Sequence, residues 1–257
     1  ESGMFTGKGV QWGGAEVRTE ATGYGTVFFA QEMLNTRNDS VDGKRAIVSG
    51  SGNVAIYAIE KLQQLGAIPI TASDSGGYIV DEAGIDLALL KQLKEVERAR
   101  ISEYAERKTS AHYVSGGSVW DVAGELAFPC ATQNELTASD ARTLVKNGLL
   151  LVAEGANMPC TPDAVETFQT ADALFAPGKA ANAGGVATSA LEMSQNAARQ
   201  RWDFASSEDK LHEIMKGVHA SAWEAAELYG HPGDYVVGAN AAGFKRVADA
   251  MLAQGVI

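Results

Sequence analysis

Between Gly43 and Gly184, short apolar runs alternate with stretches whose apolar residues recur at helical spacing. KRAIVS is a β-type run. After the glycines that follow it, Ala55, Ala58, Ile59, Leu62 and Leu65 repeat every three or four residues, which is one face of a helix. AIPITAS reads as a second strand, and Pro69, which has no N–H to donate, puts it at an irregular or edge position. DLALLKQLKEVERARISEYAERK reads as one long charged helix. ELAFP is a third strand, and Thr137 with Asp140 three residues on marks a capped helix start. LLLVAEGAN reads as one apolar strand, the kind buried on both faces of a parallel sheet. Thr161-Pro162-Asp163 opens another helix, with cap, proline and acid in order, and ALFAP is a further strand. From Gly184 the pattern is helical nearly to the end, interrupted by a turn at Gly230-His231-Pro232-Gly233.

Alternating β and α with buried strands predicts the α/β class: a doubly wound, Rossmann-like, largely parallel sheet with flanking helices at both ends. The expected organisation is a single domain over 1–257, its core at 43–183, with helical flanks at 1–42 and 184–257.

Bulk composition narrows the class of partner. At 46% hydrophobic and 21% charged, the chain can bury a real core. A formal net charge of -11 argues against nucleic acid, since nothing but a local basic cluster would offset phosphate repulsion. No apolar run reaches membrane-spanning length and no signal peptide opens the chain, so a membrane is not expected. Cys130 and Cys160 are far apart and in no C-x-x-C pair, which fits free thiols in a reducing cytoplasm. His212 and His219 stand seven apart rather than four, so no metal is expected. The chain starts at Glu1 without a methionine and already within a pattern, which reads as a fragment.

Candidate chemistry centres on Gly50-Ser51-Gly52-Asn53-Val54-Ala55, a G-x-G-x-x-A turn between a strand and a helix. Gly50 would allow the tight turn, Gly52 the close approach of a pyrophosphate, and Ala55 the packing of helix on strand, with the helix N-terminus facing the phosphates. A plain βα turn with glycines for packing is the competing reading. Asp74 lies about 20 residues beyond Gly52, where a carboxylate would meet the adenosine ribose and favour NAD. Yet Ser73 and Ser75 flank it, and Lys94, Arg98 and Arg100 crowd the next helix as candidate holders of a 2′-phosphate. These residues leave NAD and NADP open. RTEATGYG, PCATQNE, AEGANMP and APGKAANAGGVATS are rich in small residues, and the last three follow strands, so they should converge on one crevice. Ala131, Thr132, Gln133, Asn157 and Asn182 would line it. Lys179 is the best-placed lysine and Lys8 the next, but neither clamps two substrate carboxylates, so no catalytic residue is assigned.

Taken in order, TGKG, R-x-EATGYG, SGSGNVA, PCATQNE, AEGANMP, FAPGKAANAGGVATS-x-LEM and GAN-x-x-GF-x-x-VADAM resemble the glutamate dehydrogenases of the bacterial hexameric type. The resemblance runs from Thr6 to the end and matches the cofactor-binding half of that family. It implies hydride transfer between L-glutamate and the cofactor, giving 2-oxoglutarate and ammonium, in a homohexamer whose catalytic amino-terminal domain would precede Glu1. It places Thr22 and Asn53 against the dinucleotide and Asn157 and Asn182 near the nicotinamide and its ribose. Ser189 falls near the substrate γ-carboxylate with Val186 beside it. The Ser73-Asp74-Ser75 triplet resembles NADP-using members, so NADP is the expected cofactor. The last helix resembles a segment that returns across a hinge to the absent domain. A chain lacking that domain should bind NADP(H) without turning over glutamate. A non-catalytic dinucleotide-sensing module, or the cofactor domain of another amino-acid dehydrogenase, is the alternative.

Overall fold

The structure, a computed structural model, describes residues 2–255. Two 3-10 turns, Ser2–Met4 and Val10–Trp12, precede helix α1 (Ala21–Asn35). Strand β1 (Arg45–Val48) leads through the glycine turn to α2 (Asn53–Gln64) and β2 (Ile68–Pro69). The chain then leaves the main sheet: β3 (Thr71–Asp74) and β4 (Gly77–Asp81) form a hairpin, α3 (Leu87–Lys91) runs into a π-helical stretch Gln92–Glu97, and α4 (Ser102–Arg107) leads to β5 (Ala111–Ser115). It rejoins the sheet at β6 (Leu126–Phe128), followed by α5 (Ala138–Lys146), β7 (Leu151–Ala153), α6 (Pro162–Thr170) and β8 (Leu174–Ala176). One helical turn, α7 (Gly178–Ala181), precedes α8 (Gly184–Ala197), α9 (Phe204–Leu228) and α10 (Tyr235–Gln254).

The five main strands pair in the order β2-β1-β6-β7-β8, every neighbour parallel, while β3-β4-β5 make a separate antiparallel sheet. From β1 the chain goes outward to β2 and, after the hairpin, re-enters on the other side of β1. The strand order therefore reverses between β1 and β6, and a crevice opens at their carboxyl ends, where doubly wound sheets bind ligands. β6, β7 and β8 are buried at every position, as expected for strands covered on both faces.

Helix α1 is buried almost all round, because α2, α8, α9 and the sheet enclose it. Glycine makes that enclosure possible: a Cβ at Gly23 would stand 2.5 Å from Ala58 N of α2, and one at Gly184 would stand 2.1 Å from Ala21 O. The capping box at Thr137 and Asp140 is present, both hydrogen bonds included.

Several sequence expectations change. AIPITAS is two strands: Pro69 ends the edge strand β2, and the chain crosses to the hairpin at β3. The long charged helix is broken, because Arg98 takes a left-handed conformation (φ 55°) that ends the π-helical stretch before α4 begins. Strands β4 and β5 had no counterpart in the sequence reading. Within 1–42 the only α-helix among the described residues is α1; Gly7 to Gly14 instead lie along α8, and Gln195 and Asn196 of α8 donate to the carbonyls of Gly14 and Gly13. In the second flank, Ala198–Trp202 also separate α8 from α9, whose first turn Asp203 caps. Glu1, Val256 and Ile257 lie outside the described residues.

Candidate functional site

Gly50 has φ +85°, and a Cβ there would stand 3.1 Å from Cys130 O and Ala131 Cα, so both the turn and its fit against the loop after β6 need glycine. Gly52 is extended and faces open space, with nothing within 4 Å of where a Cβ would be. It is the N-cap of α2, and no side chain caps that helix. Its first N–H groups thus point out past an unobstructed glycine, with the positive end of the helix dipole behind them. Ser51 is buried under the turn, Asn53 is exposed on it, and Val54 faces the cleft beside it.

That cleft holds about 740 Å³ at the carboxyl ends of β1, β6, β7 and β8. It collects Thr22 from α1, Val54 from α2, Ala131 and Thr132 after β6, Asn157 after β7, and Asn182, Val186 and Ser189 around α7 and α8. The small-residue loops therefore do converge. Asn182 donates its side-chain amide to Asn157 Oδ1 (2.8 Å) and to the carbonyls of Ala156 and Gly155, which ties the loop after β7 to the start of α8. This leaves Asn182 Oδ1 and Asn157 Nδ2 as the groups free for a ligand. Ser189 Oγ donates back to Gly185 O (3.2 Å) and keeps its lone pairs.

Two carboxylates, Glu135 half-buried and Glu154 buried, brace the loops of the cleft, and the sequence reading missed both. Glu135 accepts from Ala131 N (2.9 Å) and Thr132 N (3.2 Å). Glu154 accepts from Gly178 N (2.7 Å) and Cys160 N (3.2 Å). Burial pushes both carboxyls above the usual range, and these N–H donors hold them back in part. Arg18 was also missed. Among the described residues it is the one cation lining the cleft, and its Nε is buried without a partner. The only signal for it in the sequence was its place in the RTEATGYG loop. Lys179 turns away: its Nζ donates to Asn240 Oδ1 of α10 (2.7 Å).

The Ser73-Asp74-Ser75 triplet sends three side chains to three places. Ser73 Oγ accepts from Gly50 N (2.7 Å). Asp74 accepts from Gly76 N (2.8 Å) and Ile101 N (3.1 Å). Ser75 Oγ accepts from Arg100 Nη1 (2.9 Å). The three candidate cations are not on one helix face. Arg100 reaches the triplet, Lys94 donates to Ala99 O (2.8 Å) in the same loop, and Arg98 is exposed at the left-handed break.

A parallel sheet with a glycine turn onto an uncapped helix, and a cleft at its strand-order reversal, is of the Rossmann-like, dinucleotide-binding class. A family profile described as glutamate/leucine/phenylalanine/valine dehydrogenase matches residues 13–255. The chain belongs to that family. It is 54% identical over 261 residues to an NADP-specific glutamate dehydrogenase of Helicobacter pylori, covering 99% of this chain and 58% of the relative. It is 52% identical over 257 residues to the NADP-specific glutamate dehydrogenase of Escherichia coli, covering 99% and 57%. The crystal structure of Plasmodium falciparum glutamate dehydrogenase superposes with a TM-score of 0.95 at 45% identity, covering 98% of this chain and 55% of that one. The chain thus spans less than two thirds of the length of these relatives.

Proposed function

We propose that this chain is the cofactor-binding part of an NADP-dependent glutamate dehydrogenase, an oxidoreductase that interconverts L-glutamate with 2-oxoglutarate and ammonium. The observation that carries this reading is the uncapped start of α2, open at Gly52 and next to the cleft that Val54 and Ala131 line. NADP would supply the hydride acceptor there. Gly50 to Val54 would hold the pyrophosphate, and Ser73, Ser75, Arg100 and Lys94 the adenosine end. Thr22, Ala131, Thr132, Asn157 and Asn182 would hold the nicotinamide end. Arg18, with Val186 and Ser189, stands where a substrate carboxylate would lie; an arginine with an unpartnered buried Nε is suited to an anion. The general base and the remaining carboxylate clamps are assigned to the part of the relatives this chain does not span.

A further domain is supported by α10, which exposes Phe244, Val247, Met251 and Leu252 along successive turns. Assembly as a homohexamer in the cytoplasm completes the proposal; among the described residues no helix is long and apolar enough to cross a membrane. Calorimetric titration with NADPH and with NADH tests the reading. Tighter binding of NADPH is expected, with no glutamate turnover by this chain alone. If neither dinucleotide binds, the proposal fails.

A further inference from the structure

An acid at the end of the second strand of a dinucleotide fold reads the adenosine ribose by offering free oxygens to its hydroxyls. In this chain those oxygens are already engaged. Asp74 Oδ1 accepts from Gly76 N at 2.8 Å, closing the hairpin turn, and Oδ2 accepts from Ile101 N at 3.1 Å, across from the loop that follows the π-helical stretch. The Asp74 side chain is 12% exposed, whereas the Arg100 side chain is 68% exposed. Arg100 Nη1 lies 2.9 Å from Ser75 Oγ and 3.7 Å from Asp74 Oδ2. The group presented to a ligand at the end of β3 is therefore a guanidinium, with the carboxylate behind it.

The loop carrying Arg100 is closed at its start by Ala99 N–H on Leu93 O (2.9 Å) and anchored at its end by the buried Ile101 side chain; Arg100 itself stays exposed between them. The loop reverses at Arg98 in a left-handed conformation and is held from one side by Lys94 on Ala99 O. On the other side the Asp74–Ile101 bond joins it to β3, and Ser73 joins β3 to the glycine turn through Gly50. Burial raises the Asp74 carboxyl, but the Ile101 and Gly76 N–H groups, with Lys94 and Arg100 nearby, bring it below the usual range, so it holds the loop as a carboxylate at neutral pH.

We infer that Asp74 is a positioning residue for NADP selectivity: it fixes the Arg98–Ile101 loop so that Arg100 meets a 2′-phosphate, and it does not read the ribose. This rests on the NADP reading above and gives its acid the opposite role from that of a ribose-binding carboxylate. The two roles predict changes of opposite sign for Asp74→Asn, which keeps one acceptor and loses the other. A positioning Asp74 predicts that NADPH binding weakens about tenfold while NADH binding stays within about twofold. A ribose-reading Asp74 predicts that NADH weakens and NADPH tightens, and that result would overturn the inference. Equal weakening of both would also overturn it, as a purely structural effect. Arg100→Gln should weaken NADPH alone; an unchanged NADPH affinity counts against the inference.

Amide hydrogen exchange separates this from failure of the NADP reading itself, because it needs no cofactor. Ile101 N–H should be protected in the parent chain and lose protection in Asp74→Ala, which leaves no side-chain acceptor. Retained protection overturns the positioning role even if neither dinucleotide binds.

Discussion

The backbone N–H of Gly50 donates to Ser73 Oγ at 2.7 Å, and Ser73 returns its own N–H to Gly50 O at 3.0 Å. This reciprocal pair ties the glycine turn to the strand that carries the adenosine-side residues. Ser73→Ala leaves the Gly50 N–H without its acceptor, which costs about 1–3 kcal/mol. Thermal unfolding should fall by about 2–4 °C per kcal/mol for a chain of this size, and NADPH affinity should drop with it. Unchanged melting and unchanged affinity would show that the turn holds its shape without Ser73.

The two glycines of the turn should separate folding from binding. Gly50→Ala forces a side chain into a left-handed conformation and against Cys130 O, so it should destabilise by about 1–3 kcal/mol. Gly52→Ala meets open space in an extended conformation, so stability should move by no more than about 0.5 kcal/mol. Its methyl group would nevertheless stand where a pyrophosphate approaches, and NADPH binding should weaken by about tenfold or more. Denaturant titration and calorimetry on both variants test the contrast; a stable Gly50→Ala variant would contradict it.

What the sequence made legible follows from short-range physics. The buried strands betrayed themselves by being apolar at every position, and Pro69 marked the edge by the donor it lacks. The crevice was legible because strand-following loops rich in small residues can only gather at one end of a parallel sheet. The break at Arg98 was not legible: no glycine or proline stands there, and the left-handed turn is closed by the Arg98 and Ala99 N–H groups on Leu93 O, with Lys94 on Ala99 O and only Ile101 N–H reaching out of the loop, to Asp74. β4 and β5 were missed because their pairing is with each other and β3, far in sequence in one case, and β5 is only half-buried. Glu135, Glu154 and Arg18 look in sequence like any charged loop residue; only burial and the loops folded around them give them away.

Buried histidine gives a pH dependence with a definite sign. His219 lies against Phe29, Trp223 and Tyr235, its Nε2 2.8 Å from Tyr235 Oη, and burial lowers its pKa below 6.5, against the opposing charge of Glu32. His212, stacked on Phe28 at 4.2 Å, is lowered in the same direction, by burial and then by Lys216, against Glu32 and Glu213. In the window below 6.5 the unfolded chain binds protons that the folded one refuses, so stability falls as pH falls through it and is fully present above it. His219→Gln, which can still meet Tyr235, should flatten part of that slope. Urea unfolding at pH 7.5, 6.5 and 5.5 measures it; an identical slope in the variant would assign the dependence elsewhere.

Glu192 of α8 has no exposed side-chain area, and it accepts from Lys8 Nζ at 2.7 Å and from Gly7 N at 2.9 Å. Burial alone would raise its carboxyl, but Lys8 and the Gly7 and Lys8 N–H groups bring it below the model-peptide value. The pair therefore stabilises the fold above about pH 4.5 and loses that contribution as pH falls through the depressed folded value. Lys8→Met should leave a buried carboxylate without its counter-charge, at a cost of about 3 kcal/mol at neutral pH. Part of that cost should return when Glu192→Gln is added, because the amide needs no cation. The Gly7–Gly14 segment should also loosen from α8, seen as faster amide exchange at Gly7. NADPH affinity should stay within about twofold, since neither Lys8 nor Glu192 lines the cleft. A large loss of NADPH binding in Lys8→Met would instead make the strap part of the cofactor site.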